Sequence, residues 1–251
     1  EITNPDNPLT RRVIVNWVWQ HHFGRGLVRT PDDFGTRGDS PTHPGLLDYL
    51  AAKLLEDQWS LKKLHRRIML TAVYQQESLE KSSARETDPD NALLWRMPTR
   101  MLQVEAMRDS MLAVSGELKR TMGGRPFEEK ADRATPRRTV YAFVNRDVIS
   151  RLSSTFNGAD PAACTVKRPE TMVPQQTLFA LNSSFIQGRA TALLKLSKIR
   201  QAEPEEDRVH MIYRQIYSRE PDAGEVKEAL AFLKQGDNPE KARQQFVHAL
   251  L

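Results

Sequence analysis

Residues 7–24 read NPLTRRVIVNWVWQHHFG, and this stretch decides the fold class. Asn7 followed by Pro8 is a helix start, because an asparagine side chain can accept from a free first-turn N–H and proline has no N–H to leave unpaired. No two-residue alternation follows. At about 100° per residue, Val13, Ile14, Trp17 and His21 share one side while Val15 and Trp19 fall nearly opposite, which predicts a helix buried on both sides. Gly24 and Gly26 end it.

Outward from that helix the pattern stays helical. A loop rich in Gly, Pro and Asp runs from Arg25 to Pro44, and Gly45 to Asp57 then spaces Leu46, Leu47, Leu50, Leu54 and Leu55 as an amphipathic helix. Ser60 caps a third helix with Leu61, Leu64, Ile68 and Ala72 on one face. Residues 1–75 therefore read as a three-helix unit carrying a His/Asp-rich loop. Residues 75–91, QQESLEKSSARETDPDN, have almost no apolar content and read as an exposed connection. Helical spacing returns from Thr99 to Gly116, and a polar stretch from Glu117 to Arg138 follows. TVYAFVN, residues 139–145, concentrates β-branched and aromatic residues and is the one strand candidate. Helices are expected again at 175–181, 184–196, 205–217 and 222–234, the last with Glu225 completing a capping box, and Asn238-Pro239 opens a final, truncated one. The expected fold is mainly α: an irregular multi-helix domain with long polar loops and at most one short β element, its second part covering residues 76–251.

Composition excludes several classes. The 251 residues are 39% hydrophobic and 27% charged, a globular profile, and no apolar run approaches the roughly 18 residues of a membrane span. Cys164 is the single cysteine, so the chain holds no internal disulfide, thiolate zinc finger, C-x-x-C redox pair or C-x-x-C-H haem attachment. The balance of 37 basic against 32 acidic residues, a formal +5, suits an ordinary solvated surface. An opening at Glu1 without Met or leader, and a last residue, Leu251, inside a helical pattern, suggest a piece of a larger protein.

The segment from Trp17 to His43 carries the richest chemistry. His21, His22, Asp32, Asp33, Asp39 and His43 are the side chains that a metal or an acid–base pair would use, and His22, Asp33 and His43 form the candidate polar or metal site. Adjacent histidines on a helix point about 100° apart, so only one of His21 and His22 faces a given place. The competing reading has one histidine bonded to the folded-back loop and the other solvated or packed. Lys62, Lys63, Arg66 and Arg67 make the helix at 60–72 basic, superficially like the second helix of a helix-turn-helix, although the modest net charge disfavours nucleic acid. Cys164 reads as a partly buried structural thiol. Ser153-Ser154 and Ser183-Ser184 lack the G-x-S-x-G setting of a hydrolase nucleophile. Trp17 and Trp19 are the candidate interface.

The stretches NPLTRRVIVNWVWQHHFGRGLVRTPDDFG, SPTHPGLLDYLAAKLLEDQWSLKKLHRRIMLTAVYQQES, DPDNALLWRMPTRMLQVEAMRDSMLAVSG, RRTVYAFVNR, CTVKRPETMVPQQTLFALN and IYRQIYSREPDAGEV cover most of residues 4–251. Together they resemble the planctomycete-specific domain of unknown function found C-terminally in proteins with a planctomycete cytochrome c domain. The most specific signature is W-x-x-x-F-G-x-G-L-V followed by D-F-G and H-P-x-L-L-D. The resemblance implies an exported, extracytoplasmic parent with haem c in an upstream region, no cofactor in this chain, and the parent's upstream domains as partners. It also implies an accessory or scaffold role, in electron transfer or in handling complex polysaccharides, that rests on domain company alone. It carries no catalytic residue onto these positions. Two other readings stand beside it: a metal-assisted enzyme using His22, Asp33 and His43, and polyanion binding through the basic helix at 60–72.

Overall fold

A computed structural model describes residues 2–128, 135–236 and 238–251. Its architecture is mainly α, divided into two compact units, Glu1–Met101 and Leu102–Leu251. The expected division at 75/76 thus falls 26 residues before the observed one, and the polar stretch 75–91 belongs with the first unit.

The first unit contains α1 (Pro8–Phe23), α2 (Pro44–Glu56), α3 (Leu61–Met69) and two short helices, α4 (Ala72–Gln75) and α5 (Ser82–Thr87). The sequence signals at the helix starts act as written: Asn7 Oδ1 accepts from the Leu9 N–H at 3.1 Å, and Ser60 Oγ accepts from the Lys63 N–H at 3.4 Å. Helix α1 packs on α2 and, less extensively, on α3. The shared core holds Val15, Trp19, Phe23, Leu27, Leu47, Leu54, Leu64 and Ile68, and Trp19 and Phe23 stack with ring centroids 4.2 Å apart. Each such aliphatic side chain contributes roughly 1.5–3 kcal/mol by leaving water.

Contrary to what the spread of its apolar residues predicts, helix α1 is not buried on both sides. Val15, Val18, Trp19 and Phe23 enter the core, while Leu9 and Trp17 lie outward, half exposed at 50% and 45%. The polar stretch also hides α5, which begins at Ser82 behind Lys81, an N-cap residue with no side-chain cap bond, and so gives no sequence signal.

The second unit contains α6 (Val104–Val114), α7 (Arg151–Thr155), α8 (Pro174–Asn182), α9 (Ser184–Leu194), α10 (Ser197–Arg200), α11 (Glu205–Tyr217), α12 (Ala223–Lys234) and α13 (Pro239–Leu250). Its main core joins Leu193 of α9, Ile199 of α10, Val209 and Ile212 of α11, Ala229 of α12 and Val247 of α13. A second cluster places Met111 and Leu112 of α6 against Phe185 and Ile186 of α9. Helix α6 begins at Val104, not Thr99, since Met101 and Leu102 are exposed and no core face calls for another turn. The strand expected at 139–145 is absent among the described residues. Thr139–Tyr141 form a 3-10 turn instead, and among the described residues the pairing nearby is two isolated bridges, Lys119 with Arg137 and Phe127 with Ala142. With no neighbouring strand among the described residues to satisfy a ladder of N–H and C=O groups, β propensity alone does not make a strand.

What holds that segment is Arg108. This buried side chain of α6 donates to the carbonyls of Thr135 (2.7 Å) and Arg137 (3.0 Å) and to Thr139 Oγ1 (3.1 Å). Its guanidinium lies over the rings of Phe127 and Phe185. Asp109 beside it accepts from both the N–H and the hydroxyl of Thr139, at 2.8 and 2.7 Å.

Candidate functional site

The loop leaving α1 is clamped by the helix it leaves. Gly24 takes a left-handed φ of 80° and returns its N–H to Gln20 O at 2.7 Å, the ordinary glycine end of a helix. Asn16, fully buried on α1, accepts from the Val28 N–H at 2.8 Å and donates to the Val28 carbonyl at 3.0 Å. A Cβ on Gly26 would lie 2.6 Å from the Asn16 amide atoms and 2.5 Å from Val28 O, so only glycine lets the backbone come this close. Leu27 and Val28 can then drop into the core. The F-G-x-G-L-V signature is therefore a folding device in which each residue has a steric or apolar task.

Downstream, the predicted site residues are drawn into separate places. Asp33 Oδ1 accepts from the Gly35 N–H at 2.9 Å, closing a local turn, and the Asp33 carbonyl accepts from Thr30 Oγ1 at 2.8 Å. His43 sits at the N-cap of α2, with Nδ1 3.0 Å from Thr42 Oγ1 and no side-chain cap bond to the helix. His22 turns to a residue the sequence reading did not select: its Nε2 lies 2.8 Å from Nδ1 of His65 on α3. Tyr74 stands edge-on to the His22 ring, with centroids 5.3 Å apart. Thus the structure joins His22 with His65 and Tyr74, and gives Asp33 and His43 partners from their own loop.

The His22–His65 contact has a definite chemistry. One nitrogen must donate and the other must accept, so the bonded nitrogens hold one proton between them. Burial pushes the pKa of His22 down, and the neighbouring His65, Arg100 and His21 push it in the same direction. The pair accordingly favours a neutral His22. Arg100 also donates to His21 O at 2.6 Å and covers Gly24 with its aliphatic carbons. Among the described residues, no three His, Cys, Asp or Glu side chains gather as a metal-binding group.

The remaining candidates separate by burial and pairing. Trp19 is 3% exposed and belongs to the core, so it presents no interface, whereas Trp17 is outward and donates its indole N–H to Pro31 O at 3.1 Å. Cys164 is exposed, not partly buried. On the basic helix α3, Arg67 and Lys63 both reach Asp57, at 2.9 and 3.3 Å, which leaves Lys62 and Arg66 as its outward cations. No helix among the described residues is long and apolar enough to cross a membrane.

Sequence reasoning missed His65 and Arg108 for the same reason: their partners are 43 residues away for the one, and 27 to 31 for the other. The outward stripe of α1 carried a readable signal, since Leu9, Val13 and Trp17 recur every fourth residue.

Comparison with known proteins gives a family and no further relative. No curated protein and no solved structure matches the chain. The family described as "PSD1: Protein of unknown function (DUF1553)" matches residues 1–233, nearly the whole of both units, and the chain belongs to that family.

Proposed function

We propose that this domain is an accessory packing module of an exported, cytochrome c-linked planctomycete protein, docking against the parent's upstream domains through α1. The observation that supports the reading is the pair Leu9 and Trp17, half exposed with the partly buried Val13 between them, on the outward side of a helix whose other side is locked in a core. Large apolar side chains held by a rigid helix form a contact surface that loses little entropy on binding. The Trp17 indole is already oriented by its bond to Pro31 O. In this reading haem c lies in the upstream region, and the parent's chemistry, whether electron transfer or polysaccharide handling, resides there. Resemblance to cytochrome-linked proteins supports that part, and family membership is compatible with it.

Co-expression with the upstream segment of the parent tests the reading. Trp17→Lys and Leu9→Lys should abolish co-purification, while Leu79→Lys, an exposed apolar position off the stripe, should retain it. Equal recovery of Trp17→Lys and the unaltered chain would refute the docking role of α1.

A further inference from the structure

In the second unit, α9, α10, α11 and α13 surround a cleft of about 400 Å³ lined by Lys195, Arg200, Arg208, Arg243, Glu240 and Leu194, with Thr191 and Gln244 beside them. That size suits a small metabolite. Four cationic side chains against one carboxylate is an unusual lining, and its internal bonding separates the fixed cations from the available ones.

Arg208 is buried and fully engaged. It donates Nε to Ile199 O at 3.1 Å, Nη1 to Glu205 at 2.6 Å and Nη2 to Arg200 O at 3.5 Å. Glu205 also takes Nε and Nη2 of Arg243, at 2.9 and 2.6 Å. The carboxylate is thus bracketed by two guanidiniums and orients both. Burial acts to raise the Glu205 pKa, but Arg243 and Arg208 outweigh it and hold the group ionised. Nη1 of Arg243 makes no hydrogen bond among the described residues. Lys195 and Arg200 are exposed and form no ion pair among the described residues. Gln244 donates to Thr191 Oγ1 at 3.0 Å, which fixes a neutral polar part of the wall next to Leu194, one turn along α9 from Thr191.

We propose that this cleft binds a small organic dianion bearing hydroxyl groups, its charge taken by Lys195, Arg200 and the free edge of Arg243. Glu205 and Arg208 are positioning residues that hold Arg243 in place. Thr191, Gln244 and Glu240 supply partners for hydroxyl groups, and Leu194 covers the carbon skeleton. Phosphate monoesters and hydroxy-dicarboxylates share this chemistry, and the test separates them.

Binding to the full chain is measured by calorimetry at low salt with four probes: glucose 6-phosphate, malate, glucose and inorganic phosphate. At least one of the two organic dianions should bind, more tightly than inorganic phosphate, and glucose should not. Arg200→Gln and Lys195→Gln should each weaken that binding roughly tenfold, as expected for loss of one charge-assisted contact. Lys198→Gln, an exposed cation outside the cleft lining, is the control and should change nothing. Which dianion binds better distinguishes the phosphate from the dicarboxylate source. The proposal is overturned if neither organic dianion binds at millimolar concentration or if inorganic phosphate binds as tightly. It is also overturned if Lys198→Gln weakens binding as much as the cleft variants, which would mark a non-specific charge effect. None of these outcomes depends on docking through α1.

Discussion

Asn16 is an amide removed from water in the middle of an apolar helix face, and its two bonds to Val28 are what make that position tolerable. Replacing it by alanine leaves the Val28 N–H and C=O without these partners, at a cost of about 2–3 kcal/mol. For a chain of this length that lowers the melting temperature by roughly 4–12 °C. Gly26→Ala should be at least as damaging by a different route, since its Cβ would fall 2.5 Å from Val28 O, a backbone atom, and the loop must shift to relieve it. Calorimetric melting of both variants checks the pair. A melting temperature within a degree of the unaltered chain for either would show that the loop is not gripped as described. The double variant should lose less than the sum, because both changes break one contact.

At the scale of elements, Arg108 replaces a sheet as the means of holding residues 135–139. Arg108→Leu keeps an apolar stem on the buried side of α6 but removes the guanidinium over Phe127 and Phe185 and with it the donors to Thr135 O, Arg137 O and Thr139 Oγ1. The loss should be about 3 kcal/mol or more, and limited proteolysis should cut near Arg137 and Arg138 much faster while α11 to α13 stay protected. Unchanged cleavage would refute the anchor. This element also shows where sequence reading ends. Helix starts at Asn7-Pro8, Ser60, Asp222 with Glu225, and Asn238-Pro239 were legible because a cap is local chemistry within four residues. The TVYAFVN run misled because strand formation depends on a partner that composition does not reveal. Likewise, the mix of apolar residues round α1 did not say that Trp19 points inward and Trp17 outward; that is decided by α2 and α3. The candidate site was legible in part: His22 was singled out from its motif, but His65 lies across a tertiary contact and looks like an ordinary member of a basic helix.

For the whole molecule, the sign and placement of charge govern response to salt and acid. Residues 1–101 carry 14 basic and 13 acidic side chains, and residues 102–251 carry 23 and 19, so nearly all the basic excess lies with the second unit. That distribution weighs against α3 as a polyanion surface. Acid response follows from groups whose ionisation differs between native and unfolded chain. Arg67 holds Asp57 below its ordinary value, Arg168 does the same to Glu105, and Arg219 lowers Glu225 to about 2. Each of these carboxylates binds its proton less readily when folded, so its stabilisation is present above the ordinary values of 3.8 to 4.5 and is lost as pH falls through the lowered ones. His22 adds an earlier step of the same sign: its folded pKa lies below 6.5, so the unfolded chain takes up that proton first and stability declines from about 6.5 downward. Melting temperature should therefore be level between about pH 7 and 9, below the range where the hydroxyls of Tyr213 and Tyr217, whose pKa burial raises from 10.0, begin to matter, fall gently from about 6.5, and fall more steeply below about 4.5. His22→Gln should remove the first decline and leave the second, while added salt should blunt the second, whose exposed pairs are screened. A wild-type melting temperature that is flat between pH 7.5 and 5.5 would mean that the His22–His65 pair does not exclude the second proton.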